Sequence, residues 1–350
     1  MRFSSKLFSF LALLRSFKAI FEAMNHEQVI AQLRQNVLEH IKATITVKEP
    51  ESLYAPVDYI MQLGGKRMRP VLTLMAAEVF GGDAKNAMNA AMAIEVFHNF
   101  SLVHDDIMDD APLRRGKTTV HEKWDINTGI LSGDAMLILA YQFFEGYKPD
   151  MFKALVTLFS KTAIEVCEGQ QYDVDFETRT DVTLDEYLKM IAYKTAVLVA
   201  AAMQMGAITA GASAEDAQSI YEFGKNLGIA FQLQDDYLDA FGDAASFGKQ
   251  VGGDIIENKK TVLFIKALEF SNTEKKQQLL ELYQDQPEEA TEKVALVKTI
   301  FVESGAVDFT KATIAEYTEK AFTSLENLSI SDANKSLLEM FGRQLMNRKI

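Results

Sequence analysis

The stretch Leu102-Val-His-Asp-Asp-Ile-Met-Asp-Asp110, with its echo Phe231-Gln-Leu-Gln-Asp-Asp-Tyr-Leu-Asp239, decides how this chain is read. Each box places carboxylates at i, i+1 and i+4: Asp105, Asp106 and Asp109 in the first, Asp235, Asp236 and Asp239 in the second. At about 100° per residue on a helix, those offsets fall within an arc of roughly 100°, so the three acids point one way. Clustered carboxylates repel one another unless a cation sits among them, and a donor set made only of oxygens suits Mg²⁺. A lone box of this kind is commonly a solvated acidic face. Here it recurs, each time among apolar residues (Phe100, Leu102, Val103; Phe231, Leu233, Tyr237, Leu238). That recurrence favours paired cation sites.

Working outward, the 350 residues could form two average domains or one large helical one. Hydrophobic content of 48% and charged content of 24% are ordinary for a protein with a sizeable core. Of 6 prolines none falls between Pro149 and Pro287, while Ala and Met are plentiful and alternating β-branched runs are scarce. The expectation is an all-α bundle in one domain, residues 24–350. The single cysteine, Cys167, excludes an intrachain disulfide framework, fits a reducing, cytoplasmic compartment and reads as a small buried hydrophobe. A net charge of −13 argues against nucleic acid as partner. Any anionic substrate must therefore be drawn in locally, by metals and a few placed cations.

Residues 1–23 differ from the rest: Arg2, Lys6, Arg15 and Lys18 punctuate Phe and Leu, with no acid before Glu22. The apolar run is too short for a transmembrane helix, so no stable membrane insertion is expected. The segment reads as an extension ahead of the fold, the alternative being a basic amphipathic stretch that touches a membrane surface. From Asn25 onward the chain reads as successive helices. Asp83 looks like an N-cap for a helix running to Asp109–Asp110, about 27 residues or ~40 Å, with Pro112 as its stop. Further helices are predicted over 131–146, 150–175, 184–210 and 215–241, with Ser213 and Asp216 forming a capping box. Polar turns are predicted near 271–276 and 284–291.

Cations accompany the acids. Gly64-Gly65-Lys66-Arg67-Met68-Arg69-Pro70 sets three of them beside glycines, Leu113-Arg114-Arg115-Gly116-Lys117 follows the first box, and Gly248-Lys249 and Lys259-Lys260 follow the second. Cations beside glycine in turns hold phosphate through guanidinium forks and approachable N–H groups. Six carboxylates on one cavity carry about −6 and a diphosphate adds up to about −3, so two or three Mg²⁺ with nearby Arg and Lys are needed to balance them. A separate cluster at Lys66 and Arg69 would bind a second anion without metal. Two diphosphate sites imply a two-substrate reaction.

These motifs resemble those of the trans-isoprenyl diphosphate (polyprenyl) synthases over nearly all of residues 24–350. The resemblance rests on both aspartate boxes, on Arg114-Arg115-Gly116, Gly65-Lys66-x-x-Arg69-Pro70, His98, Gly169-Gln170-x-x-Asp173, Lys194-Thr195 and Gln232. Gly242-Asp243, Lys249 and Gly253-Asp254 through Asn258-Lys259 complete it. It implies an all-α homodimer of the isoprenoid synthase type with a central cavity. Three Mg²⁺ on Asp105, Asp109 and Asp235, supported by Asp106, Asp236 and Asp239, would hold an allylic diphosphate (dimethylallyl, geranyl or farnesyl). Arg114, Lys194, Lys249, Gln170, Asp173 and Lys259 would assist. Isopentenyl diphosphate would sit on Lys66, Arg69, His98 and Arg115. Thr195 and Gln232 would steady the allylic cation during head-to-tail (1′-4) condensation.

Phe100 and Ser101 lie one turn before the first box, roughly 6–8 Å below it. A ring at this level with no insertion in the box resembles the short-chain enzymes that make C20 geranylgeranyl diphosphate; C15 farnesyl diphosphate is the alternative. A class I terpene cyclase and a non-catalytic subunit of a heteromeric synthase are more remote. His104, Tyr172 and Phe176 read as packing residues, Asp110 as a solvated or structural acid, and Trp124 as core. Lys117, Lys260, Arg348 and Lys349 read as solvated surface.

Overall fold

The computed structural model describes residues 27–242, 251–284 and 290–347. The extension 1–23, Asp243, Gly248, Lys249, Arg348 and Lys349 lie outside them. The described residues form an all-α bundle divided into two compact units.

One unit takes the chain up to Leu155 together with Met205–Gly211. Its helices are α1 (residues 27–44), α2 (Glu51–Gln62), α3 (Met68–Val79), α4 (Ala84–Met108), α5 (Val120–Lys123) and α6 (Ile126–Gln142). α4 is central, packed on α3 and α6. Its alanines Ala87, Ala90, Ala91 and Ala93 are fully buried, as are Leu74 and Met75 of α3 and Met136 and Ala140 of α6. Small side chains let the helix axes approach closely, and the area removed from water there stabilises the element that carries the first box. Asp83 caps α4 as predicted, its carboxylate accepting from the Lys85 N–H at 2.8 Å. The other end closes ahead of Pro112. Asp110 turns left-handed (φ 49°) and the Ala111 N–H returns to the Asp106 carbonyl at 2.9 Å. That is a Schellman closure with Asp where Gly is usual.

Between α4 and α5 the helical reading fails locally. Leu113–Arg114 (β1) and Lys117–Thr118 (β2) pair antiparallel. Arg115 and Gly116 at the tip both have positive φ (54° and 72°), the backbone of a two-residue primed hairpin turn. α6 starts five residues before the predicted 131 because Asp125 caps it, accepting from the Thr128 N–H at 2.9 Å. Trp124, expected in the core, is half-buried, edge-on to Tyr59 with centroids 5.3 Å apart.

The other unit comprises Val156–Gln204 and the chain from Ala212. Most of α7 (Pro149–Thr178) belongs to it, with α8 (Leu184–Ile191), a π-helical turn (Ala192–Ala196) and the start of α9 (Val197–Thr209). Then come α10 (Ala214–Phe241), α11 (Gly253–Ile256), α12 (Val262–Phe270), α13 (Thr273–Leu282), α14 (Thr291–Ser304), α15 (Ala306–Glu326) and α16 (Asp332–Met346). α10 lies against α15 and the π turn, and Ile229, Leu233, Val262, Phe264, Ile300 and Phe301 share one core. At Ser213 the hydroxyl accepts from the Asp216 N–H and donates to the Asp216 carboxylate, 3.0 Å each, a variant of the predicted box. The turn predicted over 271–276 shrinks to its first two residues, because Asn272 caps α13 through the Lys275 N–H. Cys167 is exposed on α7 and is not the buried hydrophobe expected. The stretch Leu184–Thr209 is apolar and long enough to cross a membrane, but 67% of its most apolar window is buried inside the fold, as in a core helix.

Candidate active site

In the first unit α4 carries the first box on its last turn. Asp105 and Asp109 lie four residues apart on one face, with Asp105 partly buried and Asp109 exposed. Asp106 is 1% exposed and turned inward. The β1 residue Arg114 forks over it, Nε donating to Oδ1 at 2.8 Å and Nη2 to the same oxygen, while Nη2 also lies 3.6 Å from Asp105. The hairpin exists to make this contact possible, since it returns Arg114 to the helix that precedes it. Burial raises the Asp106 pKa, and Arg114 works against that rise. Its other oxygen, Oδ2, is buried and accepts no hydrogen bond from the described residues. Carboxylate oxygens with an orphan among them fit a hard divalent cation such as Mg²⁺.

A cationic cluster stands in the same unit. The positive φ of Gly64 (81°) and Gly65 (109°) turns the chain from α2 into α3. The Arg115 guanidinium lies across Gly65, where an added Cβ would sit 2.9 Å from its Cζ, and donates to the Gly64 carbonyl at 2.5 Å. Arg69 Nη1 meets His98 Nε2 at 3.2 Å. Arginine can only donate, so His98 accepts there and is neutral with its proton on Nδ1. Burial and then Arg69, Arg115, Arg114 and Arg67 hold the His98 pKa well below its usual 6.5. Arg69 Nε is buried and has no acceptor among the described residues. An orphan donor beside a neutral imidazole and a second guanidinium fits an incoming anion. Lys66 is exposed on the same loop.

The third cation of that loop has another job. Arg67 is 4% exposed and pairs with buried Glu95 at 2.5 Å, its Nη2 donating to the Met61 carbonyl. It ties α2, α3 and α4 together and is not available to a ligand.

In the second unit α10 carries the second box. Asp236 is 6% exposed and accepts from Gln232 Nε2 at 2.9 Å and from the Tyr187 hydroxyl. Burial and then Asp254 push its pKa well above the carboxylate range, while burial also keeps Tyr187 a protonated donor. Asp239 accepts from the Asp254 N–H at 2.9 Å and its carbonyl from the Gly252 N–H at 2.7 Å, which holds Gly252 and Asp254 against the last turn of α10. Asp235 is partly exposed.

Beside it, Lys194 and Thr195 occupy the π turn. A π turn inserts one residue into a helix and redirects side chains, and it recurs at functional positions. The turn passes directly over Gly169 of α7: a Cβ there would lie 2.2 Å from the Lys194 nitrogen. Glycine is therefore required, and the close approach brings Lys194 Nζ to 2.5 Å from Asp173. Thr195 donates to the Gln232 carbonyl oxygen at 3.4 Å, which continues the chain of bonds to Asp236. Gln170 is half-buried on α7, and Lys259 pairs with Glu257 at 3.0 Å. Burial would lower the Lys259 pKa, but Glu257, Asp254 and Asp173 together raise it.

Residues 50–300 match the family described as Polyprenyl synthetase. The chain belongs to that family. It is 38% identical over 300 residues to a short chain isoprenyl diphosphate synthase of Methanothermobacter thermautotrophicus, covering 85% of this chain and 91% of the relative. It is 36% identical over 340 residues to a geranylfarnesyl diphosphate synthase of Natronomonas pharaonis, covering 92% and 97%. A crystal structure of a geranylgeranyl pyrophosphate synthase superposes with a TM-score of 0.88 at 56% identity, over 92% of this chain and 99% of that one. This family member is a prenyltransferase with the isoprenoid synthase fold, and isoprenoid diphosphates are its substrates.

Several groups that shape these clusters were not singled out by sequence. Glu95 takes Arg67, Tyr187 takes Asp236, and Arg34 of α1 donates to the Gly65 carbonyl at 3.1 Å. No local spacing marks them, because each acts across a long stretch of chain. Lesser readings hold. His104 packs its ring 4.8 Å from Phe100 and bonds the Ile130 carbonyl, and Tyr172 packs on Phe176. Lys260, read as solvated surface, is instead half-buried and donates to the Glu177 and Asn258 carbonyls. Asp110, exposed, joins His121 and Glu122 in a group with ligand atoms within 4.8 Å of one another, so the chain also carries an imidazole–carboxylate group able to hold a divalent cation.

Proposed function

We propose that residues 24–350 act as one catalytic domain for the Mg²⁺-dependent 1′-4 condensation of isopentenyl diphosphate with an allylic diphosphate. The product in this reading is C20 geranylgeranyl diphosphate. The observation that carries it is the convergence of Arg69, His98 and Arg115 within one unit whose neighbouring carboxylates gather on Arg114. Three ions are assigned to Asp105 and Asp109 in one unit and Asp235 in the other, with Asp106, Asp236 and Asp239 as inward supports. When bound, Mg²⁺ supplies Lewis acidity to the leaving diphosphate.

The chain's own residues do the rest. Lys66, Arg69 and Arg115 hold isopentenyl diphosphate by charge-assisted bonds, and neutral His98 orients Arg69. Arg114, Lys194, Gln170, Asp173 and Lys259 organise the allylic diphosphate, and Lys249 is assigned to it from sequence alone. The oxygen dipoles of Thr195 and Gln232 favour positive charge on the allylic carbons while the isopentenyl double bond attacks. Phe100 closes the path of the growing chain. It is 9% exposed with its ring 5.4 Å from Phe97, while Ser101 bonds back to the His98 carbonyl and leaves room beside it.

A homodimer is part of the proposal. Ile126, Ile130, Leu131 and Ile138 make α6 an exposed aliphatic face, which water disfavours and a second copy would cover. A cytoplasmic setting is proposed from the lone cysteine.

The test is incubation with Mg²⁺, isopentenyl diphosphate and each of dimethylallyl, geranyl and farnesyl diphosphate, followed by mass analysis of the extracted products. C20 is expected from every starter, and no elongation with any would defeat the reading. Phe100→Ala is expected to lengthen the product to C25 or beyond; an unchanged length removes Phe100 from the floor.

A further inference from the structure

His121 is 7% exposed, and among the described residues neither Nδ1 nor Nε2 has a hydrogen-bond partner. A buried imidazole in that condition has lost its water without recovering a bond, which makes it a group to be explained. Two carboxylates face it. Nε2 lies 3.9 Å from Glu122 Oε1, and one ligand atom each of Asp110, His121 and Glu122 falls within 4.8 Å of the others. A separation of 3.9 Å is too long for a hydrogen bond. It is the distance expected between two atoms that share an ion, since ligands at about 2.0–2.2 Å in a tetrahedral or wider arrangement stand roughly 3–4 Å apart.

We propose that Asp110, His121 and Glu122 form a binding site for a divalent transition-metal ion of the Zn²⁺ class, separate from the aspartate boxes. The imidazole sets the class: nitrogen donors favour Zn²⁺ and its neighbours over Mg²⁺, whereas the boxes offer oxygen alone. Asp110 and Glu122 are exposed, so each can adjust its side chain to close on the ion, and the fourth position is left to water.

The location gives the site a consequence. Asp110 directly precedes, and His121 directly follows, the segment bearing Arg114 on Asp106 and Arg115 on Gly64. The segment's base is already tied by Thr119, whose Oγ1 donates to Ala111 at 2.7 Å and whose N–H donates to Pro112 at 3.2 Å. An ion held by residues on both sides adds a second tie and steadies both arginines. This site does not depend on the product length or on the roles given to the boxes.

The full-length protein, stripped with EDTA and dialysed against micromolar Zn²⁺ with millimolar Mg²⁺, is expected to retain one Zn²⁺ by mass spectrometry. Co²⁺ in its place should give visible d–d bands. Glu122→Gln and Asp110→Asn alter exposed side chains, and with circular dichroism to confirm folding each should weaken retention at least about tenfold. Asp105→Asn combined with Asp235→Asn should leave it unchanged. The proposal is overturned if the wild type retains no Zn²⁺, if both single variants retain it as tightly as the wild type, or if the box variant loses it.

Discussion

The two aspartate boxes repeat one another in sequence and part company in what surrounds them. In each, the second acid is turned into the protein: Asp106 is 1% and Asp236 6% exposed. Asp106 meets a cation, Arg114, that also reaches toward Asp105. Among the described residues Asp236 accepts from neutral donors, Gln232 and Tyr187, with Asp254 adding repulsion. The first box is thus partly balanced by its own unit, whereas in the second the inward acid is driven toward its protonated form unless a cation arrives. A repeated motif is therefore not a repeated site. The neighbours of its inward acid decide how it behaves.

The largest test concerns the outward acids, where the boxes should behave alike. Asp105→Asn and Asp235→Asn are each expected to lower kcat by about 10²–10³-fold in saturating Mg²⁺, the scale seen when one preorganised electrostatic contact is removed. A loss under tenfold at either would break the assignment of that box. The inward acids should differ. Arg114→Gln leaves Asp106 buried and uncompensated, and urea unfolding should report a destabilisation of about 3 kcal/mol, partly restored by adding Asp106→Asn. Failure of that rescue would mean that the charge balance at Asp106 is not what Arg114 supplies.

Gly169→Ala comes next and sharpens the second site alone. Its methyl meets the backbone of the π turn, so α7 must withdraw and Lys194 leaves Asp173. A loss of about 2 kcal/mol is expected, with a raised KM for the allylic substrate and an unchanged KM for isopentenyl diphosphate. Tyr187→Phe removes one neutral bond from Asp236 and should cost only about 1 kcal/mol, clearly less than Arg114→Gln in the same assay.

The smallest effect is a pH dependence at His98. Its folded pKa lies well below 6.5, so as pH falls below 6.5 the unfolded chain gains a proton that the folded protein refuses. Stability of the wild type should fall relative to His98→Gln between about pH 6.5 and 5.5, by up to about 1 kcal/mol. Equal slopes in the two proteins would place a proton on His98 in the folded state and undo its role as acceptor from Arg69.

Much of this was legible in the sequence because it is local. Helical periodicity, the Asp83 cap, the spacing of the acids and the glycines before Lys66 all act within a turn or two of chain. The short hairpin was not legible, since Arg114-Arg115-Gly116 reads equally well as an open basic turn until its strands find each other. Arg67 was not separable from Lys66 and Arg69 either, because its partner Glu95 lies on a different helix. The π turn at Lys194 has no sequence mark except its effect on Gly169.

By itself the sequence determined the family, the all-α class, the oxygen-only character of both boxes and the cations beside them. These are properties of residue type and short spacing, which survive whatever the chain does next. Only the tertiary structure decided which cation is an internal strut, as Arg67 is on Glu95. It also decided which acid in each box is outward, and that neither ring nitrogen of His121 makes a hydrogen bond among the described residues. The reason is physical: burial and pairing depend on groups brought together from distant parts of the chain, as Tyr187 is to Asp236. The energy of a charged group depends on those neighbours more than on its own identity.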